Sequence, residues 1–126
     1  MQSFLLVGLG GALGAMSRHG IAVLLGRWWS GGFPLATLLV NILGSVLMGI
    51  LIGVLGRLLP PHQEELRLFL AVGVLGGFTT FSSFSLDTVV LIQRGAWIEA
   101  ATYVFLSVVV CLIGLYLGLL VTRGGL

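Results

Sequence analysis

Four apolar runs, each long enough to cross a bilayer, make up nearly all of the sequence. A spanning helix needs about 20 mostly apolar residues to traverse roughly 30 Å of hydrocarbon. The stretches 3–25, 34–55, 67–94 and 97–121 meet that requirement. The first is followed by Arg27-Trp28-Trp29, with two tryptophans suited to the headgroup level. Pro34 opens the second, Arg57 and Pro60-Pro61 stop it, and the fourth ends at Arg123-Gly124-Gly125. The first run has no basic start and exceeds the usual length of about 7–15 apolar residues, so it reads as a retained span and not a cleaved signal.

The connections are too short to hold a soluble domain. Only 8% of the residues are charged, against about 25% in an ordinary soluble domain. A soluble enzyme or nucleic-acid module cannot be built with so thin a charged skin. The net charge of +2 comes from six arginines and no lysine, scattered singly along the chain. Phosphate therefore meets no basic patch, and no nucleic-acid partner is expected. The single cysteine, Cys111, excludes an intrachain disulfide and any CxxC motif, and in its apolar run it reads as a small buried residue. His19 and His62 sit near span ends without a convergent Ser and acid, so no catalysis is expected.

An even number of spans puts both termini on one side. Arg57, Arg67 and Arg123 fall on that side, and Arg27, Arg94 and Arg18 on the other. Because positive residues bias orientation, this balance leaves two readings: a weakly specified single topology, or insertion both ways and an antiparallel dimer. Glycine pairs four apart, Gly10/Gly14, Gly49/Gly53, Gly73/Gly77 and Gly114/Gly118, mark faces for close helix packing in lipid. So small a bundle does not enclose an aqueous pore, and a two-fold dimer is the expected assembly.

The third span is 28 residues long, which would be roughly 42 Å as a straight helix. A break is expected within residues 76–80, where Gly76-Gly77 precedes five hydroxyl residues between positions 79 and 85. The competing reading is an unbroken helix whose hydroxyls bond back to the preceding turn. Non-helical backbone at membrane depth survives only when buried in protein or lining a polar cavity. Its freed carbonyls suit a cation and its freed amides an anion. Phe81 and Phe84 share a face with these hydroxyls, and the positive edge of an aromatic ring can lie against an anion. Asn41 is a primary amide that must face a partner or cavity, with Thr37 one turn earlier. Tyr103, Ser107 and Cys111 form one stripe of the fourth span, and Arg18 and Asp87 are ionisable groups within spans.

GGALGAMSR (Gly10 to Arg18), TLLVNILGSVLMG (Thr37 to Gly49) and GVLGGFTTFSSFS (Gly73 to Ser85) resemble the three signature regions of the Fluc/CrcB fluoride channels. The resemblance covers essentially the whole chain. It implies an all-α membrane protein with four transmembrane helices and a broken third helix, paired as an antiparallel dual-topology homodimer. It further implies passive export of cytoplasmic fluoride across a bacterial inner membrane. A structural, untransported sodium ion would rest on backbone carbonyls that correspond to Gly76 and Thr79. Phe81 and Phe84 match the pore phenylalanines and Asn41 the pore asparagine. Tyr103 and Ser107 fall on the family's polar track, with Cys111 next along it, and Ser83 stands where many members have threonine.

The residues alone suggest a compatible chemistry. Stripping water from fluoride costs on the order of tens of kcal/mol unless other donors replace it. Thr80, Ser82, Ser83, Asn41 and the ring edges of Phe81 and Phe84 are such donors, each weak enough to release the ion. The competing function is a proton-coupled small multidrug-type exporter. It would need a carboxylate in the first span, and residues 3–25 contain none.

Overall fold

In hydrocarbon, a peptide group can satisfy its N–H and C=O only within its own helix or against protein. In the computed structural model, which describes residues 1–58 and 61–123, each apolar run accordingly coils. The first is α1 (Gln2–Gly26), the second α2 (Leu35–Leu58) and the fourth α6 (Trp97–Arg123). The stop expected at Pro60 and the end expected at Gly124-Gly125 lie outside the described residues.

The third run is helical from Gln63 to Gln93 in separate pieces. It comprises α3 (Gln63–Leu66), a π-helical stretch (Arg67–Leu75), α4 (Gly76–Phe78) and α5 (Phe81–Gln93). It starts four residues before the expected boundary of Arg67. Glu64 and Glu65 in its first turn complement the positive end of the helix, and Glu64 pairs with Arg67 at 3.0 Å. The break is narrower than residues 76–80: only Thr79 and Thr80 leave the helix, while Gly76 and Gly77 stay in it. A helical glycine costs about 1 kcal/mol, and close packing offsets it here, because Gly77 lies against the Gly11 backbone of α1.

Glycine faces set the helix pairs. On α1, Gly10 and Gly14 bring that helix onto the backbone of residues 69–78, where a Cβ at Gly14 would meet the Val74 carbonyl and the Phe78 amide. Gly49 of α2 lies on the Leu115 carbonyl of α6, and Gly118 of α6 on the Val46 carbonyl of α2. The molecule is thus two tight pairs, α1 with the upstream half of span three and α2 with α6. Its one positive-φ residue among those described, Gly95 at 78°, ends α5. The Gly95 and Ala96 amides turn back to the Ile92 and Leu91 carbonyls, which closes the turn into α6.

The arginines mark the two ends of the bundle. Arg57 donates to the Thr122 carbonyl at 3.2 Å, tying together the ends of α2 and α6. At the opposite end the Arg94 guanidinium lies over Gly32. A small core of Leu38, Leu91, Ala100 and Tyr103 packs with Phe33 and Phe84 between them. Most other apolar side chains, such as Leu9 and Met16 of α1 or Phe105 and Leu112 of α6, face outward. All four spans are long and apolar enough to cross a membrane. The chain is an all-helical, multi-pass membrane protein.

Candidate functional site at the break in the third span

Thr79 (φ −86°, ψ 159°) and Thr80 (φ −152°, ψ 120°) are extended between two helices. In a continuous helix the Thr80 amide would donate to the Gly76 carbonyl and the Ser83 amide to the Thr79 carbonyl. Side chains intercept both. Asn41 Oδ1 accepts the Thr80 amide at 2.8 Å, and Thr80 Oγ1 accepts the Ser83 amide at 3.1 Å as the N-cap of α5. Asn41 Nδ2 also donates to the Thr80 carbonyl at 3.0 Å. Upstream, the Leu75 carbonyl takes both the amide and the hydroxyl of Thr79, and the Gly77 carbonyl takes Arg18 Nε at 3.2 Å.

These diversions leave the Gly76 and Thr79 carbonyls without the amides that a continuous helix would give them. They are the two oxygens expected to hold a cation, and a hard oxygen donor suits a hard ion such as sodium. Among the described residues no cluster of three or more His, Cys, Asp or Glu side chains could hold a metal. Backbone oxygens are the donors the break offers.

Beside the break, a groove of about 400 Å³ runs along the seam of α2 and α6. Asn41, Ser45 and Met48 line it from α2, Thr79, Thr80, Phe81 and Phe84 from the break, and Ser107 and Cys111 from α6. Phe81 and Phe84 lie 5.3 Å apart, and Phe84 stacks 5.2 Å from Tyr103. Phe81 is 77% exposed, its ring held out from the helix bundle. Ser107 is only 7% exposed, and its hydroxyl has no hydrogen-bond partner among the described residues.

The residues expected to form one row are divided between several places. Ser83 lies in a smaller cavity of about 140 Å³ with Arg18, His19 and Thr37, and Thr80 lines both spaces. Ser82 is exposed and shares a 3.2 Å hydrogen bond with Thr80 Oγ1. Tyr103 is fully buried, edge-on to Phe33 at 5.6 Å, and its hydroxyl donates to Asp87 at 3.1 Å. Ser107 and Cys111, further along the same stripe, do face the groove. Sequence reasoning missed Ser45 and Met48, although they follow Asn41 by four and seven residues on one helical face. It left Arg18 open, and the contact with the Gly77 carbonyl now ties that side chain to the segment just before the break.

The family model described as CrcB-like protein, Camphor Resistance (CrcB), matches residues 5–119. The chain belongs to the CrcB family. Among its relatives is a protein of Erythrobacter litoralis named fluoride-specific ion channel FluC, 49% identical over 93% of this chain and 89% of its own length. Proteins of the same name from Rhodospirillum centenum (49% identical, 98% and 97% covered) and Ruminiclostridium cellulolyticum (46%, 98% and 94%) align almost end to end. The name these relatives share is that of a channel, not of an enzyme. The matched region takes in the break, Asn41 and the groove-facing Ser107 of this CrcB protein.

Proposed function

We propose that this CrcB-family chain is a fluoride-specific channel that passively exports cytoplasmic fluoride across a bacterial inner membrane. The observation that carries the reading is the Asn41-braced break, which opens directly onto a groove lined by two phenylalanine rings and by Ser107, whose hydroxyl has no partner among the described residues. Such a groove can replace the hydration of a small anion piece by piece. Asn41 has a second N–H besides the one given to Thr80. Ser107 and Thr80 supply O–H donors, and Phe81 and Phe84 offer positive ring edges. None of them is a cation, so the ion is stabilised at each point without being trapped. Flow follows the fluoride gradient and the membrane potential.

The working assembly is an antiparallel homodimer of dual topology. Apolar faces turned outward, Phe81 projecting from the protomer, and arginines balanced between the two ends support it. A structural sodium ion belongs to the same reading, on the carbonyls of Gly76 and Thr79. One copy offers two such oxygens and a two-fold partner doubles the set. When bound, the ion supplies positive charge that steadies the break and favours anions nearby.

The test is efflux from liposomes containing the purified protein, followed with a fluoride electrode and, in parallel, with a chloride electrode. Fluoride efflux well above that of protein-free vesicles, with chloride retained, is the expected result. Fluoride retained as in protein-free vesicles overturns the reading.

A further inference from the structure

Two sulfur-bearing residues line the groove, and a fluoride path does not use them. Met48 of α2 and Cys111 of α6 both line it, from the two helices whose glycine faces interlock. Cys111 follows Ser107 by one helical turn, roughly 6 Å along the axis, so thiol and hydroxyl lie on one face of α6. Ser107 lines the groove and is 7% exposed as a residue, and its hydroxyl oxygen is buried with no hydrogen-bond partner among the described residues, a polar group left unmet at the groove wall. No histidine or carboxylate lines the groove among the described residues.

A thiol and a thioether facing one space, without imidazole or carboxylate, form a soft donor set. Thiolate and thioether select soft cations such as Cu(I), whereas hard ions are held by oxygen. A monovalent cation bound to a thiolate makes a neutral pair, which an apolar groove can accommodate. We infer that the groove is a binding site for a soft monovalent d10 metal ion, Cu(I) or Ag(I), ligated by Cys111 and Met48. On binding, the Cys111 S–H bond breaks, the proton passes to water, and the sulfur electron pair forms the bond to the metal. Neither sulfur nor metal changes oxidation state. The bound metal occupies the groove between Asn41 and the far end of α6 and so closes it to other ions; this consequence rests on the channel reading, whereas the binding site does not.

Silver nitrate in chloride-free buffer, titrated calorimetrically into the purified full-length protein, tests the site directly. One silver ion per chain is expected in a phase that Cys111→Ser abolishes. Partners one step removed from a metal already contribute about 10–100-fold in affinity, so Met48→Leu should weaken that phase at least about tenfold. Should Cys111→Ser fold poorly, wild-type protein alkylated with N-ethylmaleimide replaces it and should lose the same phase. Silver bound equally well without a free Cys111 thiol overturns the site, and unchanged affinity in Met48→Leu overturns the two-sulfur ligation. In liposomes, silver should stop fluoride efflux in wild type but not in Cys111→Ser, each compared with its own silver-free rate, and efflux that persists with the site filled overturns closure. Cys111-dependent silver binding in protein that carries no fluoride would sink the channel reading and leave the metal site standing.

Discussion

Asn41 does for the Thr80 N–H what the preceding turn of helix would otherwise do. Its side-chain amide accepts the Thr80 N–H at 2.8 Å and donates to the Thr80 C=O at 3.0 Å. A carboxamide has a donor and an acceptor on one planar group, so it can match a single peptide residue on both sides. An exposed pair of peptide groups at membrane depth would cost several kcal/mol, and this reciprocal pair lets the helix open there at little cost. Asparagine is therefore a brace for the backbone, and the side chain that lines the groove keeps one spare N–H.

Two substitutions separate those roles. Asn41→Asp retains the acceptor for the Thr80 amide but loses the donor, and it sets a negative charge beside the path. Fluoride efflux should fall about tenfold or more, equivalent to about 1.4 kcal/mol on the barrier. Asn41→Leu leaves the Thr80 N–H unpaired, at about 1–3 kcal/mol, while the Thr80 C=O keeps its helical donor as the N-cap of α5 and loses only the Asn41 N–H. Its unfolding temperature in detergent should drop below that of Asn41→Asp. Equal melting of the two variants would show that the brace contributes nothing.

The two phenylalanines should respond differently. Phe81 is 77% exposed, so Phe81→Ile should leave protomer stability within about 0.5 kcal/mol while cutting fluoride efflux about tenfold. Phe84 stacks on the buried Tyr103 ring at 5.2 Å. Phe84→Ile should therefore reduce efflux and also cost about 0.5–1.5 kcal/mol of ring packing. Liposome flux and thermal unfolding measured on the same preparations decide it. Undiminished efflux in Phe81→Ile would remove that ring from the path.

Sequence alone revealed the four spans because apolar runs of that length have only one way to satisfy their backbone. It also revealed that the third would break, but it placed the break too broadly. Gly76 and Gly77 looked like the weak point, yet they remain helical because Gly77 meets Gly11 of α1. The opening moves to Thr79 and Thr80, where a side chain 39 positions away in the chain caps it. No local pattern encodes that partner. The π-helical stretch Arg67–Leu75 was equally hidden, since an apolar run reads alike at either helical pitch. Tyr103, Ser107 and Cys111 were correctly placed on one stripe, but spacing does not say that Phe33 and Phe84 seal Tyr103 away while its neighbours face the groove.

Helix α1 offers a packing test. At Gly14 a methyl group would meet the Val74 carbonyl and the Phe78 amide, both backbone and unable to swing aside, whereas at Gly8 nothing lies within 4 Å. Gly14→Ala should thus cost about 1–3 kcal/mol through overpacking and disturb the segment leading into the break. Gly8→Ala should be neutral, or gain up to about 1 kcal/mol from helix propensity. Thermal unfolding of the two variants side by side checks the contrast, and equal losses would mean that α1 does not pack on the π-helical stretch as described.

The proposed sodium site rests on where the amides go. The Thr80 and Ser83 amides are committed to Asn41 and to Thr80 Oγ1, which leaves the Gly76 and Thr79 carbonyls free of their helical donors. A ligand that binds only the folded state stabilises it by about 2.7 kcal/mol at a hundred times its dissociation constant. The unfolding temperature should therefore climb with sodium concentration and then level off, while N-methyl-D-glucamine at equal ionic strength has no such effect. Fluoride efflux should fall about tenfold or more in protein purified and assayed without sodium. In Asn41→Leu, where nothing braces the extended Thr79–Thr80 segment, the thermal response to sodium should flatten. A melting temperature and an efflux rate both indifferent to sodium would remove the ion from the break.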